Sequence, residues 1–263
     1  MSPTHGNGCA LGKVEWRDAL NVRCARTPAD FPKVCDGCGC KFTLAHALKC
    51  QIGGLIHRRH NEVNADVQHH GVKATNKSSV RDEPVMQTRH AGENVEADTP
   101  VVPDTADDDS APVKEGGRGD GLIRGFWETG TDMTYDVRIA DCDALSCHGQ
   151  SSEAVLASQR KAMKKKCLQP CLEQRRHFTP FVASADGLLD KEASAFLKRL
   201  AQKLADKWQR PYSVVAGHLR ARMSVSIVHA THSCLRGSRV PTNRLSKFLP
   251  LFEDGAGLGL VDL

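Results

Sequence analysis

The chain has 263 residues, enough for one large domain or two small ones, and its 40% apolar and 25% charged residues are typical of soluble globular proteins. No run of about 18 apolar residues is present, and residues 1–10 lack the apolar core of a secretion signal, so we expect neither a membrane span nor export. The net charge of +5 is too small to establish a nucleic-acid partner by itself.

The predicted elements follow in chain order from residue 13. Residues 1–34 hold one short helix at 13–24, which Pro28 and Pro32 stop, and too few apolar residues for a separate core. After a Cys/His cluster at 35–50, the predicted elements are a helix at 55–67, an edge strand at 79–86, strands at 122–127 and 135–140, a basic helix at 153–168 that Pro170 ends or kinks, a strand at 178–184, and helices at 191–208 and 212–234.

The order of these elements predicts a mixed α/β domain built around one small sheet in residues 51–185. A stretch rich in proline and acidic residues, DTPVVPDTADDD at 98–109, predicts a disordered insert of about 91–117 between two strands. We expect C-terminal helices in residues 186–240 and a loose tail in residues 241–263.

The Cys/His cluster has the spacing of a zinc knuckle. The eleven cysteines of a chain without a secretion signal favour metal ligation and a reducing compartment, the nucleus or the cytoplasm. Cys35 and Cys38 can be aimed at one ion by a tight turn, while His46 and Cys50 fall on one face of a helical turn. Cys40 is a bystander or an alternative ligand. The sequence predicts structural zinc, and the alternative is a loop of reduced cysteines.

Two aspartates belong to neighbouring predicted strands. Asp120 begins the first strand of a hairpin and Asp136 lies inside the second. Antiparallel strands can bring these carboxylates to one edge, where they would bind Mg²⁺, with Glu62 as a third carboxylate. The alternative is that both aspartates serve ordinary turns and caps.

A basic run, RKAMKKK at 160–166, lies on the predicted helix beside this acidic pair. One lysine could reach a scissile phosphate and the others could contact a nucleic-acid backbone. Four arginines extend this possibility: Arg58, Arg59, Arg175 and Arg176. The alternative is a solvated helix face.

Five segments together resemble a known family, and they span roughly residues 15–240. They are CDGCGCKFTLAHALKCQIGGLIHRRHNEV, GDGLIRGFW, YDVRIAD, FTPFVASADG and CLRGSR. The chain is similar to the C-terminal region of non-LTR retrotransposon polyproteins, where a zinc knuckle and a restriction-like endonuclease of the PD-(D/E)XK type follow the reverse transcriptase. The resemblance implies a restriction-endonuclease-like core (helix, three strands, helix, strand), with the knuckle before it, two helices after it, and residues 1–34 as a remnant of the region that follows the polymerase.

The resemblance also implies roles for individual residues. The knuckle ligands fall on Cys35, Cys38, His46 and Cys50, and the acids of the two nuclease motifs fall on Asp120 and Asp136. The family's Arg-His-Asn-Glu segment falls on Arg59, His60, Asn61 and Glu62, and its catalytic lysine, from the following helix, falls on Lys164 or Lys166. The expected DNA contacts are Arg58, Arg59, His60, Arg138, Lys165, Arg175 and Arg176. Three positions depart from the family pattern: Gly119 replaces a proline, Arg138 replaces a lysine, and Cys167 replaces an aromatic residue.

The expected function is Mg²⁺-dependent nicking of target DNA, with DNA and the element's RNA as partners and no membrane partner. Two alternatives stay open at this point. The chain could be a nucleic-acid-binding module without catalysis, since a knuckle and a basic helix suffice for binding phosphates. It could also be the fragment of a decayed element, which would lack a cooperative unfolding transition.

Overall fold

A computed structural model describes residues 10–86 and 117–240 of the chain. Its six α-helices and four strands are, in order, α1 (Lys13–Arg23), α2 (Leu44–Lys49), α3 (Leu55–Ala74), β1 (Val80–Asp82), β2 (Gly121–Arg124), β3 (Asp132–Ala140), α4 (Ser152–Glu173), β4 (His177–Ser184), α5 (Lys191–Trp208) and α6 (Tyr212–Arg236). The fold is mixed α/β, as the order of predicted elements indicates. The expected insert lies outside the described residues apart from Gly117, and the expected tail lies wholly outside them.

The four strands form one sheet in the order β1-β2-β3-β4. The first three are antiparallel neighbours, whereas β3 and β4 run parallel. Parallel strands need a long crossover, and α4 supplies it. Because β4 is an edge strand, it can contain Pro180 without leaving a ladder partner unsatisfied.

Helices cover both faces of the sheet. Alternate residues of β3, such as Tyr135 and Val137, pack with α3, α5 and α6 in the largest apolar cluster. The opposite face of β3 and β4 packs against α4, with Ala140 and Val182 in a smaller cluster. Asp136 lies on this α4 face, since side chains alternate along a strand.

The first helix and the knuckle region pack on the C-terminal helix in a third cluster. Val22 of α1, Leu48 of α2 and Leu235 of α6 are all buried there. Asp18 of α1 is fully buried and accepts two hydrogen bonds from Arg236 at 2.7 Å each. Residues 35–50 therefore share a core with elements from both ends of the described chain.

Several predicted elements differ from the observed ones, and the edge strand predicted at 79–86 is reduced to β1 at Val80–Asp82. Helix α3 continues beyond residue 67 to Ala74, and Gly71 allows its close approach to the sheet, because a Cβ there would lie 2.8 Å from Ile123 Cδ1. Strand β2 ends at Arg124 rather than residue 127. Helix α4 continues through Pro170 to Glu173, so Pro170 does not end the helix, and a kink at Pro170 stays a prediction.

The chain leaves the described structure at Met86 and re-enters it at Gly117. These two residues are held together, since the Met86 N–H donates to the Gly117 carbonyl at 2.8 Å. Across 10–86 and 117–240, no helix is long and apolar enough to cross a membrane.

Candidate functional site

The four predicted knuckle ligands converge. One ligand atom from each of Cys35, Cys38, His46 and Cys50 lies within 4.8 Å of the others. The Cys35 and Cys50 sulfurs are 4.0 Å apart, as are those of Cys50 and Cys38, and the Cys38 sulfur is 3.4 Å from His46 Nε2. Tetrahedral zinc, with Zn–S of about 2.3 Å and Zn–N of about 2.0 Å, requires spacings of about 3.8 and 3.5 Å. The cluster can therefore bind a structural zinc ion.

Local structure explains how the ligands are positioned. Thr43 caps α2, its hydroxyl accepting from the His46 N–H at 3.1 Å, and this places His46 and Cys50 on one helical turn. The Cys35 N–H donates to the Cys40 carbonyl at 2.8 Å and closes the turn that carries the first two sulfurs. Cys40 itself is exposed and is outside the converging set.

A buried arginine near the end of the described chain supports the knuckle. Arg239 is 1% exposed, donates to the carbonyls of Ala47 and Cys234, and lies 5.0 Å from the centroid of the Phe42 ring. The backbone N–H of Arg239 donates to the Asp36 carboxylate at 2.9 Å. The knuckle is thereby fixed to residues that follow α6, a contact that spacing alone does not reveal.

The two predicted carboxylates lie next to each other at the β2–β3 edge. The Asp120 N–H donates to the Tyr135 carbonyl at 3.1 Å, which extends the β2–β3 register by one pair and sets Asp120 beside Asp136. Their carboxyl groups share a hydrogen bond. The second oxygen of Asp120 accepts the Val137 N–H at 2.7 Å.

The pKa values of the two carboxyl groups shift in opposite directions. Burial raises the pKa of Asp136 well above its usual range, and the negative charge of Asp120 adds to this. Burial also opposes ionisation of Asp120, but hydrogen bonds from His60, Asp136 and the Val137 N–H outweigh it and lower its pKa. The pair therefore carries one charge more readily than two, and a divalent cation would relieve the repulsion that opposes the second.

One face of α3 holds Asp120 from the side opposite Asp136. His60 Nε2 lies 3.0 Å from an Asp120 carboxylate oxygen, and the side-chain amides of Asn64 and Gln68 donate to the Asp120 carbonyl at 3.5 and 3.4 Å. His60 was expected to contact DNA and is instead directed at this carboxylate. The four-residue spacing of His60, Asn64 and Gln68 is a signal for a shared helix face that the sequence analysis missed.

Two glycines around Asp120 are explained by their neighbours. A Cβ on Gly121 would lie 2.4 Å from the Tyr135 ring, whose hydroxyl donates to Asn64 at 3.1 Å. A Cβ on Gly119 would lie 2.6 Å from the Thr134 methyl group, and the Gly119 N–H donates to the Pro84 carbonyl at 3.0 Å. A proline at position 119 would lose that hydrogen bond, which gives a structural reason for glycine here.

The two candidate lysines of α4 have different environments. Lys164 Nζ lies 2.6 Å from the Glu192 carboxylate of α5, so this lysine serves helix packing rather than the carboxyl pair. Arg160 is held by the same end of α5, through Asp190 and Glu192. Lys166 is exposed, and its charge acts on Asp136, counteracting the upward shift in pKa of that carboxyl group.

Two other predicted residues do not join the carboxyl pair. Glu62 accepts from Arg58 Nε at 2.9 Å and forms no set of three close ligands with Asp120 and Asp136. Arg59 is buried, and its guanidinium donates to the Ile139 carbonyl at 3.3 Å, so its DNA contact stays a prediction that this arrangement does not favour. Both residues find partners nearby because α3 turns them away from the β2–β3 edge.

The remaining predicted contacts lie around α4. Arg138 donates to the Gln159 side chain at 2.7 Å, and its charge also acts on Asp136. Lys165 and Arg175 are exposed, and Arg176 is partly exposed. Cys167 is buried in the cluster beneath α4, where burial raises the pKa of its thiol to about 12, so it is a packing residue.

No protein-family model and no curated protein matches this chain. A functional assignment therefore depends on the arrangement of its own side chains, with the Cys/His cluster and the Asp120–Asp136 pair as the two candidate metal centres.

Proposed function

We propose that this chain is a Mg²⁺-dependent endonuclease that nicks DNA through a restriction-like site, in the manner that its resemblance to retrotransposon endonucleases implies. The observation that carries the proposal is the adjacent pair of carboxyl groups, Asp120 and Asp136, with the charge of Lys166 close by. Hard carboxylate oxygens are the ligands that Mg²⁺ prefers, and the ion keeps room for water and phosphate oxygens.

The topology of the sheet supports the same proposal. A helix, three antiparallel strands, a crossover helix and a parallel fourth strand follow one another, and this is the order of elements that the resemblance implies. Fold alone does not define activity, so the side chains at the β2–β3 edge carry the functional argument.

Each side chain of the proposed site has a separate task. Asp120 and Asp136 hold Mg²⁺, which when bound supplies Lewis-acid stabilisation of the scissile phosphate. His60 and the Val137 N–H keep the Asp120 carboxylate ionised and oriented. Lys166 donates to a phosphate oxygen and stabilises the charge that develops there. Arg138, which cannot transfer a proton, is suited to holding phosphate but not to activating water.

The deciding experiment is nicking of supercoiled plasmid by the purified chain in Mg²⁺. We expect Asp120→Asn and Asp136→Asn to lower the nicking rate by at least about 100-fold, the usual effect of removing a group that stabilises a transition state. Lys166→Ala should lower it by a similar factor. The matched control is Lys164→Ala on the same helix, which should leave the rate within about threefold of the unmodified chain because Lys164 pairs with Glu192.

Equal effects of the two lysine substitutions would contradict the role given to Lys166, and nicking that survives both aspartate substitutions would contradict the site.

A second candidate function is nucleic-acid binding without catalysis. The engagement of Glu62 by Arg58 and the presence of Arg138 in place of lysine favour it. Binding of DNA without added divalent metal, together with no nicking in Mg²⁺ or Mn²⁺, would establish that candidate.

A further inference from the structure

An open cleft of about 610 Å³ lies at the turn end of the β2–β3 hairpin. Three arginines line it, together with one carboxylate and one amide: Arg124, Arg175, Arg176, Asp132 and Gln174. The lining therefore carries two more positive than negative side chains. None of these residues belongs to the knuckle or to the carboxyl pair.

Neighbouring backbone groups hold the walls of the cleft in place. Arg176 donates to the Val85 carbonyl at 3.0 Å, and Gln174 donates to the Met86 carbonyl at 2.6 Å. Arg175 adopts a left-handed backbone conformation, with φ of 54°, directly after the end of α4. Arg124 makes only a loose ion pair with Asp132, at 4.0 Å, and its side chain is about half exposed.

The cleft and the carboxyl pair lie on the same face of the sheet. Asp132 and Asp136 are four residues apart on β3, so their side chains point to the same side and are about 13 Å apart along the strand. Along α4, the eight residues from Lys166 to Gln174 span about 12 Å in the same direction. Because each strand of a DNA duplex carries a phosphate per 3.4 Å of axis, this offset corresponds to about four nucleotides.

We propose that this arginine cleft binds backbone phosphates of the substrate DNA, about four nucleotides from the bond that the Asp120–Asp136 pair attacks. The position of the cut rests on the proposed function, whereas the binding of phosphate rests on the cleft alone. Arginine suits the task because its planar guanidinium can donate two parallel hydrogen bonds to a phosphate group. The cleft is a positioning site that sets which phosphodiester reaches the carboxyl pair.

The test measures binding of the full chain to a short DNA duplex by fluorescence anisotropy, without added divalent cation and at several salt concentrations. The variant Arg124→Gln with Arg175→Gln removes two charges while keeping hydrogen-bonding side chains. We expect its Kd to rise about 10-fold at about 0.1 M salt, and the slope of log K against log salt to fall by about 2.

The matched control removes two exposed charges elsewhere, through Arg210→Gln at the α5–α6 turn and Arg220→Gln on α6. This pair should change Kd by less than about twofold, and thermal unfolding should show that both double variants are folded. Equal losses in the two double variants would overturn the proposal. So would a loss confined to single-stranded RNA of the same length, which would make RNA the ligand.

A nicking assay on the same proteins separates this proposal from the proposed function. If the unmodified chain binds DNA through the cleft arginines but never nicks, the nuclease assignment fails and the phosphate cleft stands. If the chain nicks and the cleft variant binds and cuts as the control does, the cleft proposal fails alone.

Discussion

Asp120 and Asp136 are chemically identical side chains in adjacent strands, yet their surroundings give them opposite properties. Asp120 receives hydrogen bonds from His60 and from the Val137 N–H, which lower its pKa. Burial and the negative charge of Asp120 both oppose ionisation of Asp136, so they raise its pKa. One carboxylate is thus stabilised by the folded protein alone, and the other is ionised at a cost in stability.

This contrast predicts that Asp136→Asn stabilises the metal-free chain. When folding raises the pKa of a carboxyl group, the folded protein loses stability as the pH rises from the unfolded pKa of about 3.9 through the folded pKa. At pH 7 the native Asp136 bears that loss, so the substitution should increase the free energy of unfolding by about 1.4 kcal/mol for each unit of raised pKa. Urea unfolding at pH 7 without added Mg²⁺ measures the change.

Asp120→Asn is the opposite case and the internal control. Its lowered pKa adds stability above pH of about 3.9, which is lost as the pH falls through the folded value. Replacing the buried carboxylate at pH 7 should reduce the free energy of unfolding by about 1–3 kcal/mol. Millimolar Mg²⁺ should stabilise the unmodified chain but neither variant. Equal destabilisation by both substitutions without added Mg²⁺ would contradict the assigned pKa directions.

At the scale of elements, α1 is attached to α6 by charged side chains as well as by apolar packing. Asp18 is fully buried, and its carboxylate accepts hydrogen bonds from two guanidinium nitrogens of Arg236. It also lies 3.0 Å from His232 Nδ1. Glu15 on the same helix lies 2.7 Å from His229 Nδ1. The outer face of α1, with Trp16 and Leu20, is exposed, so the polar contacts contribute much of the attachment.

Asp18→Ala should therefore be strongly destabilising. It leaves the Arg236 guanidinium without its buried partner, and breaking such a pair by removing one member costs about 3–5 kcal/mol. Chemical unfolding followed by circular dichroism measures the loss. Arg17 lies on the same helix and forms an exposed ion pair with Asp30, so Arg17→Ala should change stability little. Comparable losses in both variants would show that the ion pair to α6 is unimportant.

At the scale of the whole molecule, the knuckle is part of the main body and not an independent finger. Its ligands Cys35 and Cys50 are buried in the cluster that contains Val22 of α1 and Leu235 of α6. Metal binding stabilises the folded state that contains the site, so the ion should stabilise all elements packed on that cluster.

Removing zinc should lower the Tm of the whole chain in one cooperative step. We expect a decrease of at least about 10 °C, because a loss of about 4 kcal/mol has that effect in a chain of this size. Calorimetry with and without a chelator measures it. Cys40→Ser should keep one bound zinc per chain, whereas Cys35→Ser should lose it. A separate low-temperature transition would instead indicate a knuckle that unfolds alone.

The sequence predicted the elements well because local pattern determines them. Helix α5 was confirmed at Lys191–Trp208, and the strands at β3 and β4 were confirmed to within three residues at each end. The converging knuckle ligands were also predictable, since a two-residue spacing and a helical turn fix their geometry locally.

The orientation of helices about their own axes was not predictable. Periodicity places Arg59 and Lys164 on helices but does not reveal that Arg59 faces Ile139 or that Lys164 faces Glu192. Those directions depend on tertiary partners 28 or more residues away, as does the contact between His60 and Asp120. Side-chain roles that depend on such distant partners need the folded structure.

The bond between Met86 and Gly117 has a practical consequence. It lies next to the pairing of β1 with β2, which in turn adjoins the β2–β3 edge that carries the carboxylates. A fluorescent reporter placed beside this bond would respond to changes at that edge. That junction is thus a natural entry point for labelling the protein while it handles its substrate.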